Sequence, residues 1–191
     1  MRRIRIVVAY DGTNYCGWQI QPNGITIEEI LNRQISKLTG EDIRIIGASR
    51  TDSGVHALGN VAVFDTESRI PGDRFAYALN QKMPEDIVIV RSDEVQIDWH
   101  PRYQNEISKT YEYHIYNAKV RNPLKNRYST FVSFDLDVEK MRQGAKYILG
   151  EHDFASFCNV RTNAKDTVRT VHEIAITEIP MDKFQASNRG Q

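Results

Sequence analysis

Arg2-Arg-Ile-Arg-Ile-Val-Val-Ala-Tyr10 sets Ile4, Ile6 and Val8 against Arg3 and Arg5 in strict alternation, the period-two signature of a strand with one buried face. Reading outward, a loop rich in turn formers follows, Asp11-Gly-Thr-Asn14 and then Pro22-Asn-Gly24. Thr26 with Glu29 makes a capping box, and Ile27, Ile30, Leu31, Ile35 and Leu38 recur at helical spacing until Gly40 closes the helix. Strands are predicted over residues 43–48 and 59–66, a helix capped by Asp73 over 73–83, and a strand over 86–90. The order β-α-β-β-α-β predicts a split βαβ, ferredoxin-like unit, an antiparallel sheet with both helices on one face.

From Asn105 the pattern starts again: a strand over 107–117, a helix over 137–149 built on Val138, Met141, Ala145, Ile148 and Leu149 and closed by Gly150, and a strand over 168–179. The expected class is α+β, a tandem of ferredoxin-like units forming a largely antiparallel sheet with helices on one face. The expected domains are 1–104, which carries the functional loop, and 105–191. The second stops at β-α-β, an incomplete copy whose sheet edge is short of partners. This duplication rests on element order, because no repeat is visible by residue identity.

Across 191 residues, 40% are hydrophobic and 26% charged, with 11 Gly and 6 Pro, which excludes a disordered or fibrous chain. No apolar run approaches the ~18–20 residues that cross a bilayer. Met1-Arg-Arg-Ile-Arg5 mimics a basic leader, but the apolar stretch after it ends at Asp11-Gly12 without a small-residue cleavage site, so the expected compartment is the cytoplasm. Cys16 and Cys158 are too few for a disulfide framework and too far apart for a metal-binding pair motif. With 25 basic and 25 acidic residues the net charge is zero, so only local distribution can favour a polyanion. Residues 102–128 hold six basic residues against two acidic, interleaved with Tyr103, Tyr111, Tyr113, Tyr116 and Tyr128. That pattern fits phosphate contact and base stacking, and equally a solvated edge strand.

Gly-rich phosphate loops, His-Glu-x-x-His, Cys-x-x-Cys and Gly-x-Ser-x-Gly are all missing from the sequence, so neither a cofactor nor a metal is expected. His152-Asp153 has the residue types of a metal site, but the flanking Phe154 and Phe157 favour a helix exit. The densest set of reactive residue types is Gly47-Ala-Ser-Arg-Thr-Asp-Ser-Gly-Val-His-Ala57, between two predicted strands. One reading is a plain connection, with Asp52-Ser-Gly54 as the turn and Arg50 paired with Asp52. The other is a catalytic loop on a rigid scaffold, with Arg50 keeping Asp52 ionised as nucleophile or base. A hydrolase using Ser53, His56 and Asp52 is disfavoured, because triad members are normally spread along the chain and no oxyanion-hole signature is present.

Four blocks in order carry a resemblance: Tyr10-Asp-Gly-Thr-Asn-Tyr-Cys-Gly-Trp-Gln-Ile-Gln-Pro-Asn23, Arg50-Thr-Asp-Ser-Gly-Val-His-Ala57, Lys109-Thr-Tyr-Glu-Tyr-His-Ile-Tyr-Asn117 and Leu149-Gly-Glu-His-Asp-Phe-Ala-Ser-Phe157. Together they closely resemble the tRNA pseudouridine synthase A family, over residues 3–179. The resemblance implies isomerisation of uridine to pseudouridine in the anticodon stem-loop of tRNA by a homodimer without cofactor or metal. It implies Asp52 as the nucleophile, Arg50 in the space vacated by the flipped uridine and Tyr111 stacked on the target base. Lys109 and Arg121 are the basic residues expected to contact the RNA backbone. The sequence departs from the family pattern in having Glu28 where an amide is usual and in its zero net charge. It departs again in residues 180–191, which lack the family's later strand and the helix that brings a cation to the catalytic Asp. The rival expectation is therefore an impaired or non-catalytic relic that keeps the fold and binds RNA.

Overall fold

The opening alternation becomes strand β1, Arg2–Tyr10, whose Ile4, Ile6, Val8 and Tyr10 are buried while the residues between them are not. The computed structural model describes residues 1–103, 108–158 and 166–179. They fall into two compact units, Met1–Glu112 and Tyr113–Gln191.

In the first unit, β1 lies between β3 (Ala57–Thr66) and β4 (Ile87–Val95), antiparallel to both, and a short β2 (Ile46–Gly47) pairs antiparallel with β3. The order across the sheet is β2-β3-β1-β4. Helix α1, Ile27–Thr39, starts where Thr26 accepts the Glu29 N–H at 3.3 Å and stops at Gly40, which takes φ 75. Its Ile27, Ile30, Leu31 and Ile35 share one cluster with Ile4, Ile6 and Val8 and with Phe75 and Leu79 of α2 (Phe75–Asn80). Both helices thus cover the same face. Phe64 meets Phe75 edge-on with ring centroids 5.3 Å apart, closing the core between β3 and α2. The chain is α+β with a mostly antiparallel sheet.

Several elements differ in extent from expectation, each for a local reason. The strand over 43–48 shrinks to two residues because α1 takes its donors: the Ile43 N–H goes to Ser36 Oγ and the Ile45 N–H to Asn32 Oδ1, both at 2.9 Å. Asp73 does not cap a long helix. It sits in a 3-10 turn, Gly72–Arg74, makes no capping hydrogen bond and pairs with Arg74 at 3.7 Å in solvent. The strand from 86 runs on to Val95 because its polar residues are engaged, Ser92 Oγ accepting the Ala76 N–H at 2.8 Å and Asp93 receiving Arg5. At the end of α2 the Asn80 amide pairs with both the N–H and the carbonyl of Ile89, at 2.8 and 2.9 Å.

On the face away from the helices, Arg3 forks onto Asp65 of β3 with both bonds at 2.7 Å, and Arg5 forks onto Asp93 of β4 at 3.1 and 2.6 Å. Trp99 lies over the Arg5 guanidinium at 5.3 Å, and its carbonyl accepts from Arg3 at 2.9 Å. The arginines that alternate along β1 are thus ordered by acids on the two flanking strands rather than left in water.

In the second unit, β5 (Ile115–Asn117) and β6 (Thr130–Val132) pair in parallel, and β7 (Gly150–Asp153) pairs antiparallel with β8 (Val168–Val171). Among the described residues these are two separate ladders rather than the single expected sheet. The long strand over 107–117 reduces to β5. Residues 108–115 are all exposed and offer no buried face to pair around, and Ile107 lies outside the described residues. Helix α3, Val138–Ala145, has its N-cap at Asp137, which accepts the Lys140 N–H at 3.0 Å. It ends before 149 because the Tyr147 and Ile148 N–H groups bond three residues back, to Gly144 and Ala145. The strand over 168–179 stops at Val171, and Arg142 of α3 reaches the Ile176 carbonyl beyond it. No helix among the described residues is long and apolar enough to cross a membrane.

All buried apolar side chains among the described residues belong to the first unit. Phe64→Ala should therefore cost that unit about 3–5 kcal/mol. Trp18 and Trp99, the chain's two tryptophans, both lie there, so a lower urea midpoint in their fluorescence checks this. Amides of β5 to β8 should exchange with solvent faster than those of the β3-β1-β4 ladder, which hydrogen exchange read residue by residue will show.

Candidate active site

Tyr10 ends β1 opposite Ala57, where β3 begins, so the loops following β1 and preceding β3 emerge at the same end of the central strand pair. The second of these, residues 48–56, carries Arg50 and Asp52. Its backbone is clasped by the first. The Trp18 N–H donates to the Thr51 carbonyl at 3.0 Å, while the Gly54 N–H and the Ser53 hydroxyl both donate to the Tyr15 carbonyl, at 3.3 and 3.2 Å. Asp52 opens a turn closed by the Val55 N–H on the Asp52 carbonyl at 3.2 Å. Gly54 takes φ 79 and Ser53 does not have positive φ, the pattern of a type II turn.

The two loops meet closely because glycine stands at the contact. Gly17 takes φ 83, and a Cβ there would lie 2.5 Å from the Thr51 carbonyl oxygen. Gly47 faces the indole of the buried Trp18, where a Cβ would approach Nε1 to 2.6 Å. Trp18 in turn lies 6.0 Å from the Tyr10 ring. Tyr15 is anchored from behind, its hydroxyl donating to Asp86 at 2.5 Å. Burial, together with that carboxylate, raises the pKa of the phenol.

Thr51 is held at both ends, its hydroxyl 2.8 Å from the Tyr10 hydroxyl and its carbonyl under Trp18. Its neighbours Arg50 and Asp52 are exposed. The expected Arg50–Asp52 ion pair does not form, and among the described residues neither side chain has an ion-pair partner. A residue fixed inward between them turns both side chains out to solvent rather than toward each other. The clasp also disposes of a triad: Ser53 is bonded to Tyr15, and His56 Nδ1 accepts the Gly12 N–H at 3.1 Å beside the Asp11 carboxylate.

Tyr111 and Lys109 fall in the first unit, exposed, on a segment without regular secondary structure. Arg121 falls in the second unit, its guanidinium 5.2 Å from the Phe131 ring. The structure thus brings Arg50 and Asp52 together on one loop and leaves the remaining predicted site residues on other segments. In the second unit His152 bonds the Leu149 carbonyl. Asp153 accepts from the Thr167 hydroxyl and the Ala155 N–H, which hold its carboxyl below the usual range. Among the described residues no three His, Cys, Asp or Glu side chains converge. Glu28, where the family pattern has an amide, accepts the Ile20 N–H at 3.0 Å, a bond that a glutamine oxygen accepts equally well. Sequence reasoning missed Tyr10, Trp18 and Asn60, which hold the loop by the Thr51 hydroxyl, the Thr51 carbonyl and the Ser49 carbonyl respectively. The available signal was a tyrosine at the last buried position of β1, whose hydroxyl requires a partner.

A family model described as tRNA pseudouridine synthase matches residues 6–104 and 145–189. The chain is 47% identical to tRNA pseudouridine synthase A of Acetivibrio thermocellus over 191 residues, all of this chain and 78% of that protein. It is 48% identical over 176 residues to tRNA pseudouridine synthase A 2 of Clostridium perfringens, covering 92% of this chain and 72% of that one. It is 44% identical over 179 residues to tRNA pseudouridine synthase A of Brevibacillus brevis, covering 94% and 73%.

Gly17→Ala tests the clasp against Gly54→Ala. Both positions have positive φ and bear the same backbone cost of about 1–2 kcal/mol, but a Cβ at Gly54 meets nothing within 4 Å. Gly17→Ala should be the more destabilising in urea, and it alone should speed exchange of the Trp18 amide.

Proposed function

The chain belongs to the tRNA pseudouridine synthase family, and from that premise we propose that it isomerises uridine to pseudouridine in the anticodon stem-loop of tRNA, with Asp52 as the catalytic carboxylate. The N1–C1′ glycosidic bond breaks and a C5–C1′ bond forms, C5 loses a proton and N1 gains one, so no oxidant, reductant or cofactor enters the balance. The observation that carries this reading is the presentation of Asp52: exposed, without an ion-pair partner among the described residues, on a turn whose backbone is fixed from both sides. A carboxylate so placed is open to a base that has left its stack, and its rigid backbone keeps down the entropy of reaching a reactive geometry.

The other residues take roles that their chemistry suits. Arg50 fills the space the flipped uridine leaves, Tyr111 stacks on the extruded base, and Lys109 and Arg121 contact phosphates. The exposed phenol of Tyr111, at 72%, leaves a face for a base. The same reading carries a homodimer, which sedimentation equilibrium measures directly.

Asp52→Asn keeps the side-chain shape and removes the charge. It should abolish pseudouridine formation, measured as tritium release from 5-tritiated uridine in tRNA transcripts, while leaving the unfolding free energy in urea within about 0.5 kcal/mol of the parent. Retained turnover would exclude Asp52 as the catalytic group. Lys109→Ala and Arg121→Ala should each lower the slope of log affinity for tRNA against log salt by about one. Unchanged slopes would show that these cations are solvated and do not contact RNA.

A further inference from the structure

Tyr10 is 5% exposed and Asn60 8% exposed, two polar side chains buried at the end of the central strand pair directly under the Asp52 loop. Asn60 Nδ2 donates to the Ser49 carbonyl at 3.1 Å and, more weakly, toward the Tyr10 hydroxyl at 3.5 Å. Tyr10 lies 2.8 Å from Thr51 Oγ1. With the Asn60 amide on its oxygen, the Tyr10 hydroxyl has its own proton to give, and Thr51 Oγ1 is the acceptor in reach. The phenol keeps that proton at neutral pH as any tyrosine does, and burial moves its pKa further up.

We propose that Tyr10, backed by Asn60 and acting through the Thr51 hydroxyl, is a positioning residue that fixes the direction of the Asp52 carboxylate. The inference rests on the catalytic reading of Asp52. Thr51 is the one side chain of Arg50-Thr51-Asp52 turned into the protein, so its rotamer and backbone set where its two neighbours point. The Trp18 N–H holds only the Thr51 carbonyl and leaves the Thr51 side chain itself unfixed. The hydroxyl bond to Tyr10 is the second point that removes that freedom. A core tyrosine serving packing alone would be replaceable by phenylalanine at the cost of the hydroxyl's two hydrogen bonds, to Thr51 and from Asn60. A tyrosine that aims the loop would not, because a misplacement of about 1 Å at the reacting group costs on the order of 100-fold in rate.

The test is a kinetic set on tRNA transcripts with hydrogen exchange alongside. Tyr10→Phe should lower kcat by about 10- to 100-fold with KM within about 2-fold. Thr51→Val should match it, and Thr51→Ser, which keeps the hydroxyl, should restore most of the turnover. The double variant Tyr10→Phe with Thr51→Val should be no worse than either single one, since both break the same link. The amides of Trp18, Gly54 and Val55 should exchange faster in Tyr10→Phe, while those of the β1–β3 ladder stay protected. Parental kcat with parental protection of these amides overturns the proposal. So does a loss of protection spread evenly over the ladder, which marks a packing role. If the parent chain forms no pseudouridine, or Asp52→Asn still forms it, the catalytic reading fails on its own. The exchange pattern then decides whether Tyr10 holds the loop.

Discussion

Everything in the first unit depends on β1 being hydrogen-bonded on both edges while burying one face. A strand paired on both sides cannot shift by a single residue without exchanging Ile4, Ile6, Val8 and Tyr10 for Arg3, Arg5, Val7 and Ala9 in the core, a change that would bury two guanidinium groups. That penalty fixes the register against β3 and β4. The register in turn sets Tyr10 opposite Ala57, and so decides that the loops carrying Trp18 and Asp52 leave the sheet side by side. The geometry of the site is a downstream effect of an alternation nine residues long.

The arginines on the outer face of β1 show how a chain with no net charge can still distribute charge unevenly. Arg3 and Arg5 are bound two-pronged by Asp65 and Asp93 across the strands, and Arg2, on the opposite face at the strand's start, meets Glu94 at 2.8 Å. The cations of the sheet are therefore neutralised where they stand. Arg50 has no ion-pair partner among the described residues, so the potential near the loop is set by a few local groups rather than by the total count.

How far the sequence could be read depended on whether a residue's role was local. The strand at 2–10, the helix from Thr26 to Gly40 and the turn at Asp52-Ser53-Gly54 each follow from spacing or backbone preference within a dozen residues, and the structure has all three. That the strand over 43–48 would shrink to the short β2 was not legible, because Ser36 and Asn32, residues on a helix, claim the Ile43 and Ile45 N–H groups. Polar Ser92 and Asp93 hid the second half of β4, since their partners Ala76 and Arg5 are distant in sequence. The Asp52 loop announced itself by composition. Its supports did not, because a carbonyl at Tyr15 or an N–H at Trp18 belongs to every residue type and leaves no mark in the sequence. The absent Arg50–Asp52 pair was misread for the same reason: proximity along the chain says nothing of which way a residue fixed between two others turns them.

Asn80 gives the sheet a further property. Among the described residues β4 is an outer strand, and the backbone groups along its free margin would otherwise offer a template to any extended chain. By taking both the donor and the acceptor of Ile89, the Asn80 amide occupies that margin at one of the few places where a foreign strand would need to register. Val88 and Val90, exposed on either side of it, are apolar enough to invite cross-β association between copies in a crowded solution. A single carboxamide borrowed from a helix end imitates a strand there and interrupts the ladder such association would have to build.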